Sequence, residues 1–180
     1  MNTGSMYERA MGESFHRLPS AVRRFHKLAG MHELHGWVET VAPSTLAASL
    51  LARCIGTPLG ATSGPIRFEL DATSEAETWT RHFPAQRMIS RLRLDARKII
   101  EQLGAARLTF ELCEAGGRLE MRLQGLHFLG VPCPRWLLPR IIARETGQGD
   151  KLHFHVRASL PVIGVVSSYR GHLCISKTGG

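Results

Sequence analysis

Apolar and polar residues alternate one by one through most of the chain after Gly64. This period of two is typical of strands that bury one face. The turn residues Ala115, Gly116 and Gly117 join two such segments into a hairpin. The apolar members are Ile66, Phe68 and Leu70; Leu108, Phe110 and Leu112; Leu119, Met121 and Leu123; and Leu152, Phe154, Val156 and Leu160.

These strands follow one another without intervening helices, which predicts an antiparallel meander over residues 64–176. A curled meander exposes fewer edges, so we expect a closed or partly open barrel whose interior accommodates a ligand. The fold class is mainly β, or α+β by content.

The first 60 residues show helical spacing instead. Tyr7, Met11 and Phe15 recur on one face of a first helix, and Pro19 opens a second one. A third, amphipathic helix begins near Leu46, and residues 35–41 predict a brief strand. We therefore expect two or three short helices in a mostly helical part, 1–60, of a single domain covering 1–180.

Three later segments are less regular. Residues 89–103 fit a helical stripe closed by Gly104 as well as two strands, and two strands are favoured. Three prolines between Gly130 and Pro139 exclude a regular central strand and predict a shaped connection. The turn before Leu152 is assigned to Thr146, Gly147, Gly149 and Asp150.

Composition indicates a folded chain, because 43% of the 180 residues are hydrophobic and 21% are charged. No apolar run reaches the roughly 20 residues of a membrane-spanning helix. The start of the chain carries Glu8 and Arg9 where a signal peptide would be apolar, which predicts a cytoplasmic location. The four cysteines form no CxxC pair, so we expect reduced, mostly buried thiols and neither a zinc nor a redox site.

The net charge of +8 suits nucleic acid, anionic lipid or an acidic protein. The arginines are dispersed and no aromatic-rich strand accompanies them, which argues against a nucleic-acid module. A solvated face is favoured over a polyanion site for the densest cluster, which comprises Arg87, Arg91, Arg93, Arg97 and Lys98.

Glu77, Trp79, Arg81 and Phe83 lie two residues apart, so on a strand they share one side. Two charges between two aromatic rings are unusual on a solvent face. One interpretation is a polar anchor in an apolar pocket, where Arg81 holds a carboxylate or anionic headgroup and Trp79 and Tyr169 form the wall. The other, which is favoured, is a structural cross-strand ion pair beneath an amphipathic ring.

Evidence for catalysis or cofactors is missing from the sequence. His153 and His155 would share a strand face, but Lys151 and Arg157 flank them, which favours a solvated surface over a metal site. The chain contains no GxSxG, GxGxxG or P-loop motif. We predict no catalytic residues, metal or cofactor, and interpret Gly164 and Gly171 as a bend or close strand approach.

The layout of the chain resembles the bacterial family named domain of unknown function 4166, whose members occur alone or fused to a saccharopine-dehydrogenase-like NAD-binding domain. The resemblance implies an accessory or ligand-presenting role beside a reductase, and it brings no catalytic residues. It is carried by Tyr7, Gly12, Leu18 and Pro19; by Glu77, Trp79, Arg81 and Phe83; by Gly130, Val131, Pro132 and Pro134; and by Leu160, Pro161, Gly164, Tyr169 and Gly171.

Three functions follow from these features, in order of preference. The first is a non-catalytic module that binds a small apolar or lipid-like ligand through Glu77, Trp79, Arg81, Phe83 and Tyr169. The second is a protein-interaction module of a separate NAD-dependent oxidoreductase, which the basic surface would select. The third is an enzyme on a lipid-like substrate, for which Glu77 and His26 are the only candidate acid or base.

Overall fold

A computed structural model describes residues 4–175 of the protein. Residues 1–3 and 176–180, which the predictions for the chain start and for the end of the meander include, lie outside the described residues. The helices are α1 (Met6–Met11), α2 (Ser20–His26) and α3 (Leu46–Ile55), with short 3₁₀ segments at Gly12–Arg17 and Arg135–Leu137. The strands are β1 (Gly30–Val41), β2 (Thr62–Ala72), β3 (Ala76–His82), β4 (Arg87–Asp95), β5 (Lys98–Leu103), β6 (Ala106–Glu114), β7 (Leu119–Phe128), β8 (Val131–Pro132), β9 (Arg140–Gln148), β10 (Lys151–Leu160) and β11 (Gly164–Cys174).

Ten of these strands form a closed antiparallel barrel. Their order is β6-β5-β4-β3-β2-β1-β11-β10-β9-β7, and β7 pairs back with β6 to close the ring. The short β8 is an extra strand that pairs only with β7 among the described residues. The prediction of a mainly β, antiparallel barrel preceded by short helices is confirmed.

The first and last strands of the barrel approach each other closely at two glycines. A Cβ atom at Gly171 would overlap the carbonyl oxygen of Trp37, and a Cβ atom at Gly36 would overlap that of His172. Both glycines lie in the β1–β11 register, where Gly36 faces Leu173 and Gly171 faces Val38. The close strand approach predicted at Gly171 is thus present at the pairing of the chain's first and last strands.

One end of the barrel is filled by residues 6–26, and we call it the plugged end. Met6, Tyr7, Phe15 and Val22 are fully buried there, in one hydrophobic cluster with the inward side chains of the strands. The connections at this end are fixed to the helical residues: Arg9 pairs with Glu75, Arg17 with Glu114 and Arg24 with Asp150.

The opposite end carries α3, and we call its connections the rim: residues 42–61, 83–86, 104–105, 129–139 and 161–163. Thr45 caps α3 by accepting a hydrogen bond from the Ala48 amide, and Gly56 ends it with a φ of 76°. The neighbouring connections are joined by backbone hydrogen bonds from Ala105 to Cys54 and from Leu129 to Ala105. The rim is therefore a continuous ring of loops around one barrel opening.

The strand patterns behave as the sequence predicts, since Ile66, Phe68 and Leu70 are buried while Arg67 and Asp71 are exposed. Residues 89–103 belong to two strands, β4 and β5, which confirms the favoured alternative.

Three details differ from the predictions. The brief strand expected at 35–41 begins at Gly30, so the barrel starts within the part expected to be mostly helical. Thr146 and Gly147 belong to β9, and the turn is formed by Gly149 and Asp150 alone, because Thr146 and Gly147 are hydrogen-bonded partners of β10. The thiols are not mostly buried: Cys54 and Cys174 are exposed and the other two are half-buried.

Candidate functional site

A cavity occupies the barrel interior between the plugged end and the rim. The centre of a water-sized sphere can move through about 170 Å³ of it, whereas roughly 10–15 Å³ suffice for one water. The lining is almost entirely apolar and comes from α3 and nearly all the barrel strands. Several lining residues next to the rim are only half-buried, so the lining is partly exposed on that side: Leu51, Ile55, Leu103, Phe128 and Pro139.

Arg81 on β3 lines this cavity and is only 7% exposed. Its Nη1 donates a hydrogen bond of 2.9 Å to the hydroxyl of Ser90 on β4. Its guanidinium carbon lies 4.9 Å from the ring centroid of Trp79 and 5.6 Å from that of Phe68. Among residues 4–175 it has no carboxylate partner, so its charge is held by a neutral hydroxyl and two rings.

Neither Glu77 nor Arg81 forms the cross-strand ion pair of the alternative interpretation within residues 4–175. The Glu77 carboxylate instead accepts a hydrogen bond of 2.7 Å from Trp79 Nε1, because the two side chains are neighbours on the same face of β3. Burial raises the pKa of Glu77, and the charge of His26 and the Trp79 hydrogen bond oppose that rise. Glu77 is thus a buried polar support beneath Trp79.

The five candidate ligand-binding residues are all buried, but they divide into two groups. Trp79, Arg81 and Tyr169 line the cavity, whereas Glu77 and Phe83 are not part of its lining. The Phe83 ring packs edge-on against Tyr169 at 5.3 Å between centroids. Burial raises the pKa of the Tyr169 phenol, and the nearby positive charge of Arg81 opposes this rise.

Five polar lining residues were not anticipated from the sequence: Thr57, Glu101, Arg144, Glu145 and Ser167. The hydroxyl of Ser167 is buried with no hydrogen-bond partner among the described residues. Glu101 of β5 is half-buried in the lining, and Glu145 of β9 lies near the plugged end. The alternation of Ile99, Glu101 and Leu103 was a signal for an inward carboxylate, but the competing helical pattern hid it. Because β9 was not predicted as a strand, the sequence did not indicate that the side chain of Glu145 faces the barrel interior.

A polar cluster lies between the helices and the cavity. His26 Nε2 is 2.6 Å from a carboxylate oxygen of Glu145, and the His26 ring stacks on Tyr7 with centroids 3.7 Å apart. His26 does not line the cavity, nor does Glu77. The two residues considered as a catalytic acid or base therefore do not face the space that a substrate would occupy.

The remaining candidates lie on the barrel surface. All five members of the basic cluster from Arg87 to Lys98 are exposed, as expected for a solvated face. His153 is near His172, with ring centroids 5.7 Å apart, but residues 4–175 contain no group of three His, Cys, Asp or Glu side chains arranged to hold a metal. Within the same residues, no helix has the length and apolar character needed to span a membrane.

Comparisons with known proteins identify a family but no activity. The model of the family "Domain of unknown function (DUF4166)" matches residues 18–173, a range that includes every residue lining the cavity. The crystal structure of Rv2717c from M. tuberculosis is similar over 89% of this chain and 99% of that chain, with 10% sequence identity and a TM-score of 0.47. None of the curated proteins matches the chain.

Proposed function

The chain belongs to the family Domain of unknown function (DUF4166), and we propose that it is a non-catalytic binding protein for a small apolar ligand that carries one anionic group. The apolar body of this ligand would occupy the barrel cavity. Its carboxylate or similar group would bind Arg81, next to Trp79 and Tyr169.

The observation that carries the proposal is the state of Arg81. A guanidinium has five N–H donors, and only Nη1 of Arg81 makes a hydrogen bond within residues 4–175. Burying a charge without a counter-charge is costly, and Arg81 is part of the cavity lining. An anionic ligand group supplies the missing counter-charge and accepts these hydrogen bonds.

The cavity lining supports the apolar part of the proposal. Side chains such as Phe110, Leu126 and Phe154 offer no hydrogen bonds to a polar ligand, so burial of apolar surface is the main source of affinity there. The unpartnered hydroxyl of Ser167 adds a second polar contact for a ligand. A few polar groups in a largely apolar space are typical of small-molecule sites.

The other sequence-based proposals keep their lower rank. The two residues considered as a catalytic acid or base, Glu77 and His26, do not line the cavity. The role beside an oxidoreductase and the cytoplasmic location stay predictions, because the geometry of the cavity tests neither of them.

A displacement assay tests the proposal. The anionic, apolar dye anilinonaphthalene sulfonate is bound to the protein and then competed with laurate or with lauryl alcohol, which have the same alkyl chain. We expect saturable dye binding and displacement by laurate at a concentration about tenfold or more below that of the alcohol, because only laurate pairs with Arg81. Equal displacement by both would contradict an anionic ligand, and no dye binding would contradict the cavity site.

A substitution that fills the cavity tests where the dye binds, and a surface substitution with the same side chain is its matched control. Ala143 lines the cavity, so Ala143→Phe should abolish dye binding while the protein stays folded. Ala76→Phe adds the same ring at an exposed position near the plugged end and should leave binding unchanged. Retained binding in Ala143→Phe would place the dye outside the barrel.

A further inference from the structure

Large apolar side chains project into solvent from the rim. Leu46 is 91% exposed, Trp136 78% and Val162 fully so. They come from three connections that are far apart in sequence, and exposed apolar groups brought together in this way mark interaction surfaces. The complete set at the rim is Leu46, Leu50, Leu59, Leu129, Val131, Trp136 and Val162.

The charges at the rim have a single sign. None of the rim connections contains an Asp or a Glu, and the strand residues that adjoin them contain none either. Exposed arginines without an ion pair among the described residues do occur in these connections or within two residues of them: Arg53, Arg87, Arg107, Arg135 and Arg140. The acidic residues lie elsewhere, for example Glu75, Glu114 and Asp150 at the plugged end.

Helix α3 carries both kinds of contact. Leu46 and Leu50, one turn apart, point to solvent, while Leu51 and Ile55 line the cavity on the other side of the same helix. Arg53 is exposed beside them. The helix therefore separates the cavity from whatever covers the rim, and both of its faces are apolar.

We propose that the rim docks on the surface of a lipid bilayer that contains anionic lipids, with the partly exposed side of the cavity lining toward the membrane. Exposed Leu and Trp side chains interleaved with unpaired arginines are the combination that binds at the boundary of headgroups and acyl chains. The absence of carboxylates removes the repulsion that an anionic surface would otherwise cause. Projecting side chains on separate loops suit a deformable bilayer better than a flat protein interface, which favours this occupant.

Vesicle flotation tests this proposal without any ligand, so its outcome is separate from that of the proposed function. Vesicles of phosphatidylcholine alone are compared with vesicles of phosphatidylcholine and phosphatidylglycerol in equal parts. We expect the protein to float with the anionic vesicles, and less so as salt is raised, because the arginine contribution is screened. Failure to float with anionic vesicles at low salt would overturn the proposal.

Paired variants locate the contact. Leu50→Ser and Trp136→Ser together should abolish flotation, whereas Met31→Ser, at an exposed position of β1 away from the rim, should not change it. Arg53→Gln and Arg135→Gln should each lower vesicle affinity about fivefold, and Arg118→Gln, in the turn between β6 and β7 at the plugged end, should have a smaller effect.

Two results would contradict docking through the rim. Equal loss in the rim variants and in their controls would indicate attraction through the overall charge instead. Self-association that the rim variants abolish, without vesicle binding by the unaltered protein, would assign the rim to a second copy of the chain. Thermal unfolding of each variant verifies that these exposed substitutions leave the fold intact.

Discussion

The guanidinium of Arg81 lies over the ring of Trp79, with 4.9 Å between the guanidinium carbon and the ring centroid. Trp79 is in turn held by its hydrogen bond to Glu77, and Ser90 binds Arg81 from the next strand. A cation over an aromatic face is stabilised electrostatically, more so when desolvated. Both residues therefore have fixed positions in the cavity wall before any ligand binds.

Removal of the Arg81 charge should weaken binding of anionic ligands selectively. In Arg81→Met we expect laurate affinity to fall by about tenfold to a hundredfold, the value of hydrogen bonds to a charged group, while lauryl alcohol affinity changes little. Dye displacement measures both. An equal loss for the two ligands would show that the variant damages the cavity and not the anion site.

Removal of the Glu101 charge should have the opposite effect. Glu101 lines the same cavity, and a carboxylate there repels an anionic ligand across a medium of low dielectric constant. Glu101→Gln keeps the shape and should strengthen laurate binding without changing the affinity for the alcohol. Weaker laurate binding in this variant would argue against an anion in the cavity.

The buried carboxyl of Glu77 should make stability depend on pH. Its folded-state pKa is raised by burial, so the folded protein holds this proton at pH values where the unfolded chain has lost it. Its contribution to stability is therefore present at low pH and is lost as pH rises through the folded-state pKa. Glu77→Gln lacks this pH-dependent loss because its amide side chain does not ionise. The amide oxygen can still accept the hydrogen bond from Trp79.

Thermal melts of both proteins between about pH 4 and about pH 8 measure the effect, because this range spans ordinary and raised carboxyl pKa values. We expect Glu77→Gln to gain stability relative to the unaltered protein as pH rises. A constant difference across the range would show that Glu77 does not titrate differently in the folded state.

The β1–β11 closure should be sensitive to a single methyl group. Gly171→Ala places a Cβ against the Trp37 carbonyl, and we expect a loss of about 2–3 kcal/mol or more, as for an overpacked core. Gly60→Ala meets no atom within 4 Å and should stay within about 0.5 kcal/mol. Urea unfolding compares the two, and similar losses would contradict the close approach.

The barrel could be predicted from the sequence because its inward residues alternate strictly with polar ones. Ile66, Phe68 and Leu70 illustrate this, since a period of two has one structural solution when one face is buried. β9 was missed because its inward side chains, Ile141, Ala143 and Glu145, include a carboxylate and a small residue. Gly147, in the same strand, resembled a turn residue, yet a Cβ there would press against Pro19 of the plugged end.

The candidate site was predicted in part for the same reason. Trp79 and Arg81 share a strand face, which local spacing reveals, and Tyr169 was found on the last strand. Whether Glu77 forms a cross-strand ion pair or accepts a hydrogen bond from Trp79 depends on the orientation of its side chain, which spacing does not determine. The local alternation around Glu101 was hidden by a competing helical pattern, and the role of Ser167 in the lining depends on strand pairing across the whole chain.

Proton–nitrogen NMR during a laurate titration tests the central claim most directly, because it observes Arg81 and Trp79 themselves. We expect the Arg81 Nε–H and the Trp79 indole signals to shift together and to saturate, and lauryl alcohol to leave the Arg81 signal nearly unchanged. If laurate shifts neither signal, or shifts only residues on the outer face of the barrel, the proposed binding of an anionic apolar ligand inside the barrel is wrong.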